Sequence, residues 1–312
     1  MRLYRGFGGL PSGFGPAVVA MGNFDGVHLG HRQVLGATIE SARSRGVTAA
    51  AVTFHPHPLR ILAPERAPVL IQSLPDRLAC LESTGIDAVI LVPFSRVLAE
   101  VTAEAFVEEF LVRRLGCIEL HVGGDARFGK GRAGDVALLQ RLADIHGFDL
   151  MISDAVKADG IRSSSSEIRR RLLAGNVAGA RTLLGRPFSL VGEVVTGAAR
   201  GRAMGFPTAN LLPDSAMLPA PGVYAAIGLV PGFRLPAAVH LGPIPTFDVT
   251  PPVVEAHLVG FDGYLPGVRM RLDFVQRLRG VIRFDCVEAL QQQIVKDISD
   301  TLQYIENDEG IR

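Results

Sequence analysis

Strand and helix patterns alternate along the first half of this chain and stop doing so near residue 185. No other feature restricts the fold so much. Apolar runs at 18–21, 47–54, 88–92, 118–122 and 150–153 read as strands. Between them, 32–42, 76–83, 103–115 and 136–146 carry apolar residues at helical spacing, with Val34, Leu35, Ile39 and Ala42 on one side of the first. Alternation of this kind predicts an α/β unit: a parallel sheet covered by helices on both faces, with ligands outside the carboxyl ends of the strands. A helix start follows at 163–166, where a serine caps and Ile168, Leu172 and Leu173 form the apolar side. Beyond Gly185-Arg186-Pro187 the pattern changes. Segments near 188–195, 223–229, 236–241, 253–259 and 268–276 read as strands between Gly/Pro turns, and no helix intervenes until about 287–304. That predicts an all-β unit, a closed barrel with a terminal helix. Two domains are therefore expected, 1–185 and 186–312.

The length of 312 residues suits two domains, and 48% hydrophobic against 20% charged residues indicates a globular chain. A net charge of +1 gives no case for nucleic-acid binding. Cys80, Cys117 and Cys286 lie far apart without a C-x-x-C pair, so neither a zinc site nor a redox pair is indicated. No apolar run approaches the roughly 18 residues of a membrane span, and no signal-peptide core follows Met1. A cytoplasmic protein with reduced thiols is expected, without a nucleic-acid or membrane partner.

The first strand pattern runs into Met21-Gly22-Asn23-Phe24-Asp25-Gly26-Val27-His28-Leu29-Gly30-His31. A strand, a glycine-rich loop and a helix start form a ready phosphate site, to which His28 and His31 add side-chain donors. A metal pair is disfavoured: the spacing is i, i+3 and lacks the glutamate of H-E-x-x-H. The plain alternative makes the histidines polar loop residues. Gly124-Asp125-Ala126-Arg127-Phe128-Gly129-Lys130-Gly131 matches G-x-x-x-x-G-K, but Gly131 stands where a P-loop needs Ser or Thr, so a Walker loop is rejected. Asp125 remains a candidate for a ribose or a polar ring edge. In the second half, glycines recur at Gly197, Gly201 and Gly205 before Phe206-Pro207-Thr208-Ala209-Asn210. Arg200, Arg202 and Pro207 exclude a membrane-helix dimer. A glycine-rich flap beside a hydroxyl and an amide suits a second phosphate site with Mg²⁺, and a hairpin loop is the bland alternative.

Together these residues resemble the bacterial bifunctional riboflavin kinase/FAD synthetase family from about residue 15 to 305. In the first half the resemblance is carried by G-N-F-D-G-V-H-L-G-H, by T-F-H-P-H-P at 53–58, by Gly123 to Gly129, and by S-S-S-E-I-R at 164–169. In the second half it is carried by G-R-A-M-G-F-P-T-A-N, P-G-V-Y at 221–224, I-P-T-F at 244–247, E-A-H-L at 255–258, Leu278-Arg279 and Asp297. The resemblance implies a Rossmann-like nucleotidyltransferase domain, then a barrel that phosphorylates riboflavin. ATP would serve both steps with Mg²⁺, giving FMN, then FAD and pyrophosphate. Gly22, Asn23, Phe24, Gly30, His28 and His31 would bind ATP and its phosphates, faced by Ser164, Ser165, Ser166 and Arg169. Asp125 would contact the nucleotide, and His57 would sit near the flavin phosphate. In the kinase half, Gly197, Gly201 and Gly205 would approach ATP, and Thr208 and Asn210 would organise Mg²⁺. Glu255 would be the general base on the 5′-hydroxyl, with Arg279 and Phe247 at the flavin. A monomer or a transient homo-oligomer is expected.

Several positions depart from the family pattern. His240 stands in place of asparagine, Ile244 in place of arginine, and Gly260 and Pro266 in place of aspartate and tyrosine. His55 replaces an acidic residue and Ala126 a phenylalanine. These departures keep open an alternative, an FMN adenylyltransferase or flavin-nucleotide sensor with a weak or inactive kinase half.

Overall fold

A computed structural model describes residues 1–197, 201, 204–215, 217–244 and 249–308, with backbone alone for 244 and 249–253. The chain forms two compact units, one of Met1–Val69 with Leu74–Ser163, the other of Leu70–Ser73 with the residues from Ser164 onward.

The first unit holds a sheet of β1 (Arg2–Arg5), β2 (Ala17–Met21), β3 (Thr48–His55), β4 (Ala88–Pro93), β5 (Cys117–Gly123) and β6 (Asp149–Ser153). Their order is β1-β4-β3-β2-β5-β6 and every pair is parallel. Strands such as Ala-Val-Val-Ala-Met are apolar on both faces because helices cover both. Val19, Val52, Ile90 and Leu120 pack into one core, while Val18, Ala20, Ala51 and Val89 pack into the other with Leu35 and Ile39. The helices are α1 (Leu29–Arg45), α2 (Pro58–Leu62), α3 (Leu74–Glu82), α4 (Arg96–Ala99), α5 (Ala103–Phe106), which continues in wider turns to Arg114, and α6 (Val136–His146). Their ends follow local chemistry. Asp135 caps α6 by accepting from the Leu138 N–H at 2.9 Å, and Gly46 and Gly147 end α1 and α6 in the left-handed conformation. A small hairpin pairs β7 (Lys157–Ala158) with β8 (Ile161–Arg162).

β1 is not anticipated by the sequence pattern: it is four residues long and mostly exposed. The glycine-rich loop therefore follows the second strand of the chain, not the first. Strand order reverses between β2 and β5, so the loop leaves the sheet at its topological switch point.

In the second unit α7 (Ser165–Leu173) and α8 (Val177–Leu184) precede the barrel strands β9 (Phe188–Val195), β10 (Ala209–Pro213), β11 (Gly222–Val230), β12 (Phe233–Ile244), β13 (Val249–Leu258) and β14 (Arg269–Arg279). They close antiparallel in the order β10-β13-β12-β11-β14-β9, and α9 (Val287–Glu306) packs against β11, β12 and β14. β10 is a further strand that the sequence pattern does not reveal, being short and flanked by Pro207 and Pro213. The compact units part at Ser163 and Ser164, so that α7 and α8 belong with the barrel. The cause is packing: α7 lies on α8 and α8 on β9 and β14, with Leu172, Val177, Ala180 and Leu183 fully buried. Among the described residues, no helix is long and apolar enough to cross a membrane, and no two cysteines form a disulfide.

Candidate active sites

At the carboxyl end of β2 the chain turns sharply. Phe24 and Val27 take φ of 48° and 41°, and Gly26 takes 88°. A buried β-branched residue in the left-handed region costs of order 1–3 kcal/mol and persists only where its surroundings enforce it. The turn delivers His28 as the N-cap of α1, where its Nδ1 accepts from the His31 N–H at 3.4 Å and from the Ser163 hydroxyl at 3.2 Å. An accepting Nδ1 puts the proton of a neutral imidazole on Nε2, which becomes its donor. The His28 and His31 rings stack at 3.7 Å between centroids, and Phe24 meets His31 edge-on at 5.3 Å. Burial first, then His28 and the Arg77 guanidinium, hold His31 well below the usual histidine range, so it is uncharged at neutral pH. A Cβ at Gly30 would come within 3.2 Å of the His28 ring, and one at Gly22 within 3.2 Å of the Phe24 ring. Both glycines thus sit where a side chain would press on a ring. The assembly presents two stacked imidazoles, that of His31 neutral, at the start of a 17-residue helix, an environment that accepts phosphate oxygens.

Two further expected residues follow neighbouring strands of the same sheet. His57 caps α2 by accepting from the Leu59 N–H at 3.2 Å. Asp125 follows β5, the neighbour of β2, and pairs with Arg162 at 2.6 Å on the surface. The stretch from Gly124 to Gly131 is no phosphate loop: Lys130 pairs with Glu100 at 2.7 Å, and α6 begins only at Val136. Ser164 caps α7, accepting from the Glu167 N–H at 3.3 Å, and Ser165, Ser166 and Arg169 lie in that helix in the second unit.

The barrel site is built differently. Asn210 faces Glu255 across β10 and β13, and Glu255 faces His240 across β13 and β12. Cross-strand partners point to one face, and here Ala209, Val254, Ala256, Val239 and Leu241 fill the interior, so the three polar residues stand on the outer wall. A cavity of about 140 Å³ lies there, lined by Glu255, His240 and Arg279, by Met204 and Phe206, and by Ile294 of α9. Arg279 is fixed by Asp297, which takes its Nε at 3.0 Å and its terminal nitrogen at 2.7 Å; Gln293 also donates to Asp297 at 2.9 Å. The guanidinium also lies 5.8 Å from the centre of the Phe284 ring. His240 donates to the Pro243 carbonyl at 2.9 Å, and its burial lowers its pKa. A second cavity of about 180 Å³ shares Thr208 and is lined by Gly197, Asn210, Phe261 and Tyr264.

The glycine flap reads clearly in space. A Cβ at Gly201 would sit 3.1 Å from the Thr208 hydroxyl, and one at Gly197 would collide with the Asn210 amide. Gly205 instead serves a turn, with φ of 87° and open space around it. The backbone is thus laid directly on the two side chains expected to organise Mg²⁺, whose oxygens are hard donors of the kind that ion takes. Phe247 lies outside the described residues.

Arg77 is absent from the sequence reading. It is 3% exposed on α3 and donates to the Asn23 carbonyl at 2.9 Å and the Phe54 carbonyl at 3.1 Å. Its signal was available: an arginine among Leu74, Leu78 and Leu81, on the apolar side of the helix.

Residues 12–167 match the FAD synthetase family and residues 184–305 the riboflavin kinase family. The chain is 37% identical over 281 residues to the bifunctional riboflavin kinase/FMN adenylyltransferase of Escherichia coli, covering 90% of each. It is 36% identical to that of Pseudomonas fluorescens over 96% of each chain, and 33% identical to that of Bacillus subtilis over 93% of each. A crystal structure described as a macrolide-efflux protein from Streptococcus pneumoniae superposes with a TM-score of 0.86 at 28% identity, over 96% of this chain and 98% of that one. Two tandem matches and relatives aligned nearly end to end show that this chain belongs to the bifunctional riboflavin kinase/FMN adenylyltransferase family.

Proposed function

We propose that the protein phosphorylates riboflavin with ATP to give FMN, then transfers AMP from a second ATP to FMN, giving FAD and pyrophosphate. The observation that carries this reading is the presence, in one chain, of both family matches. The adenylyl transfer is assigned to residues 1–185 and the kinase to 186–312.

In the kinase step the riboflavin 5′-hydroxyl oxygen attacks the γ-phosphorus of ATP, its proton passes to the Glu255 carboxylate, and ADP leaves. An alcohol gains from a positioned base, and the register that sets Glu255 beside Asn210 supports that role. Thr208 and Asn210 would hold Mg²⁺ with ATP, and the flap glycines packed on them support this. When bound, the ion neutralises phosphate charge. Arg279, anchored by Asp297 and beside an apolar cavity wall, would face the flavin together with Phe247.

In the second step a phosphate oxygen of FMN attacks the α-phosphorus of ATP and pyrophosphate departs. The nucleophile is already an anion and needs no base. His28 and His31, with Gly22, Asn23, Phe24 and Gly30, would bind the phosphates and stabilise the leaving charge. Ser164, Ser165, Ser166 and Arg169 are proposed as the second phosphate-binding set, Asp125 as a nucleotide contact and His57 as a neighbour of the flavin phosphate. Cysteines that form no disulfide suit the proposed cytoplasmic location.

Purified protein given riboflavin or FMN with Mg²⁺ and ATP, and its flavins separated, tests both steps. FMN from riboflavin and FAD from FMN are expected. Absence of the first product would assign the chain to the alternative with an inactive kinase half. Absence of the second would refute the adenylyltransferase.

A further inference from the structure

Beneath the glycine-rich loop lies a charged cluster that the proposed chemistry does not use. Arg77 reaches up from α3 to the Asn23 carbonyl at the start of the loop and to the Phe54 carbonyl near the end of β3. Thr53 donates to the same Asn23 carbonyl at 3.1 Å. Asn23 opens the turn in which Phe24 and Val27 hold positive φ, so these donors grip the backbone where it is most bent.

Unsatisfied polar atoms gather around the guanidinium. Nδ1 of His31, Nδ1 of His55 and Nε of Arg77 are all buried without a hydrogen-bond partner. Buried polar atoms are normally paired, so three in one neighbourhood mark a site held for a purpose other than stability. The charged neighbours of His31 are His28 of the helix cap and Arg77 of α3, and Arg77 in turn acts with Asp25 of the loop and on His55 of β3. Asp25 is itself buried and supports the charged form of Arg77 against the cost of burial.

We infer that Arg77 is a positioning residue of the adenylyl-transfer site, its fork tying the start of the phosphate loop to β3 while its buried charge lies under the two stacked histidines. The inference rests on the N-terminal half of the proposed function. The fork fixes where the helix start presents its N–H groups. The charge disfavours a second proton on His31, which leaves the imidazole neutral with a buried Nδ1 that no group meets. A protonated His31 would have to bury an unpartnered Nδ1–H against a guanidinium.

Two substitutions separate geometry from charge. Arg77→Lys keeps the charge and loses the two-pronged grip; Arg77→Met loses both. Both should slow FAD formation from FMN at least about tenfold and raise the KM for ATP, while FMN formation from riboflavin is unchanged. Only Arg77→Met should move the histidine titration. With one cationic neighbour removed, His31 should gain its proton at a higher pH, read by NMR of the labelled imidazole and by the acid limb of the FAD-forming rate. The NMR reading does not depend on turnover, so it tests the inference even if the proposed reaction is wrong. An unshifted His31 in Arg77→Met, or an equal shift in Arg77→Lys, would overturn the charge role. Normal ATP KM and FAD rate in Arg77→Lys would overturn the grip. If Arg77→Met does not fold, the comparison passes to His55→Glu, which sets a carboxylate beside Arg77. That variant should raise the His31 titration without touching the arginine, and no movement there would sink the charge role.

Discussion

The loop after β2 and the outer wall of the barrel are both read as places where phosphate moves, yet they are assembled from different material. The loop depends on backbone: positive φ at Phe24 and Val27, glycines pressed on aromatic rings, and a buried arginine gripping carbonyls. The barrel site depends on side chains, Asn210, Glu255 and His240, aligned by strand register. Under the proposed function, the difference follows from the two nucleophiles. A phosphate monoester needs its repulsion from ATP relieved, and neutral donors at a helix start do that. An alcohol must lose a proton, and a carboxylate on a rigid strand is placed to take it.

The sharpest way to break this contrast is to exchange losses between the sites. Glu255→Gln is expected to reduce FMN formation about 10²- to 10⁴-fold and leave FAD formation from supplied FMN intact, each rate being measured separately. His31→Ala is expected to cut FAD formation about 10²- to 10³-fold with FMN formation preserved. Loss of both activities from either variant, in a folded protein, would mean that the sites do not divide the chemistry. A smaller effect sharpens the role of backbone. Gly30→Ala pushes a methyl against the His28 ring, which has a few tenths of an ångström to give. The KM for ATP in the second step should rise severalfold with little change in melting temperature. An unchanged KM would show that close packing at Gly30 is incidental.

Much of this was legible in the sequence. The period of apolar residues located α6 and the central strands, because that signal is local. β1 and β10 escaped because short strands flanked by charges or prolines owe their existence to partners distant in sequence, Ala88–Leu91 and Val194–Val195 among them. The packing partners of α8 are likewise not written locally. A helix's own pattern says that α8 has an apolar side, not that β9 and β14 receive it. In the sites, His28 was singled out by type and spacing, and Glu255 through the family resemblance. Arg77 was not, since its importance comes from carbonyls on two separate segments. Gly197 and Gly201 were found, but their reason, contact with Asn210 and Thr208, appears only in space.

The placement of β1 bears on how the sheet is completed as the chain folds. Arg2 aligns with Ala88, so the first strand to be made has no partner until β4 is in place. Closing a segment that long costs chain entropy before any ladder bond repays it. The core around β2, β3 and α1 consists of nearer neighbours and can organise first. β1 is thus an edge strand whose one partner in the sheet lies far along the chain, and the glycine-rich loop rests on a core of nearer neighbours that does not include it.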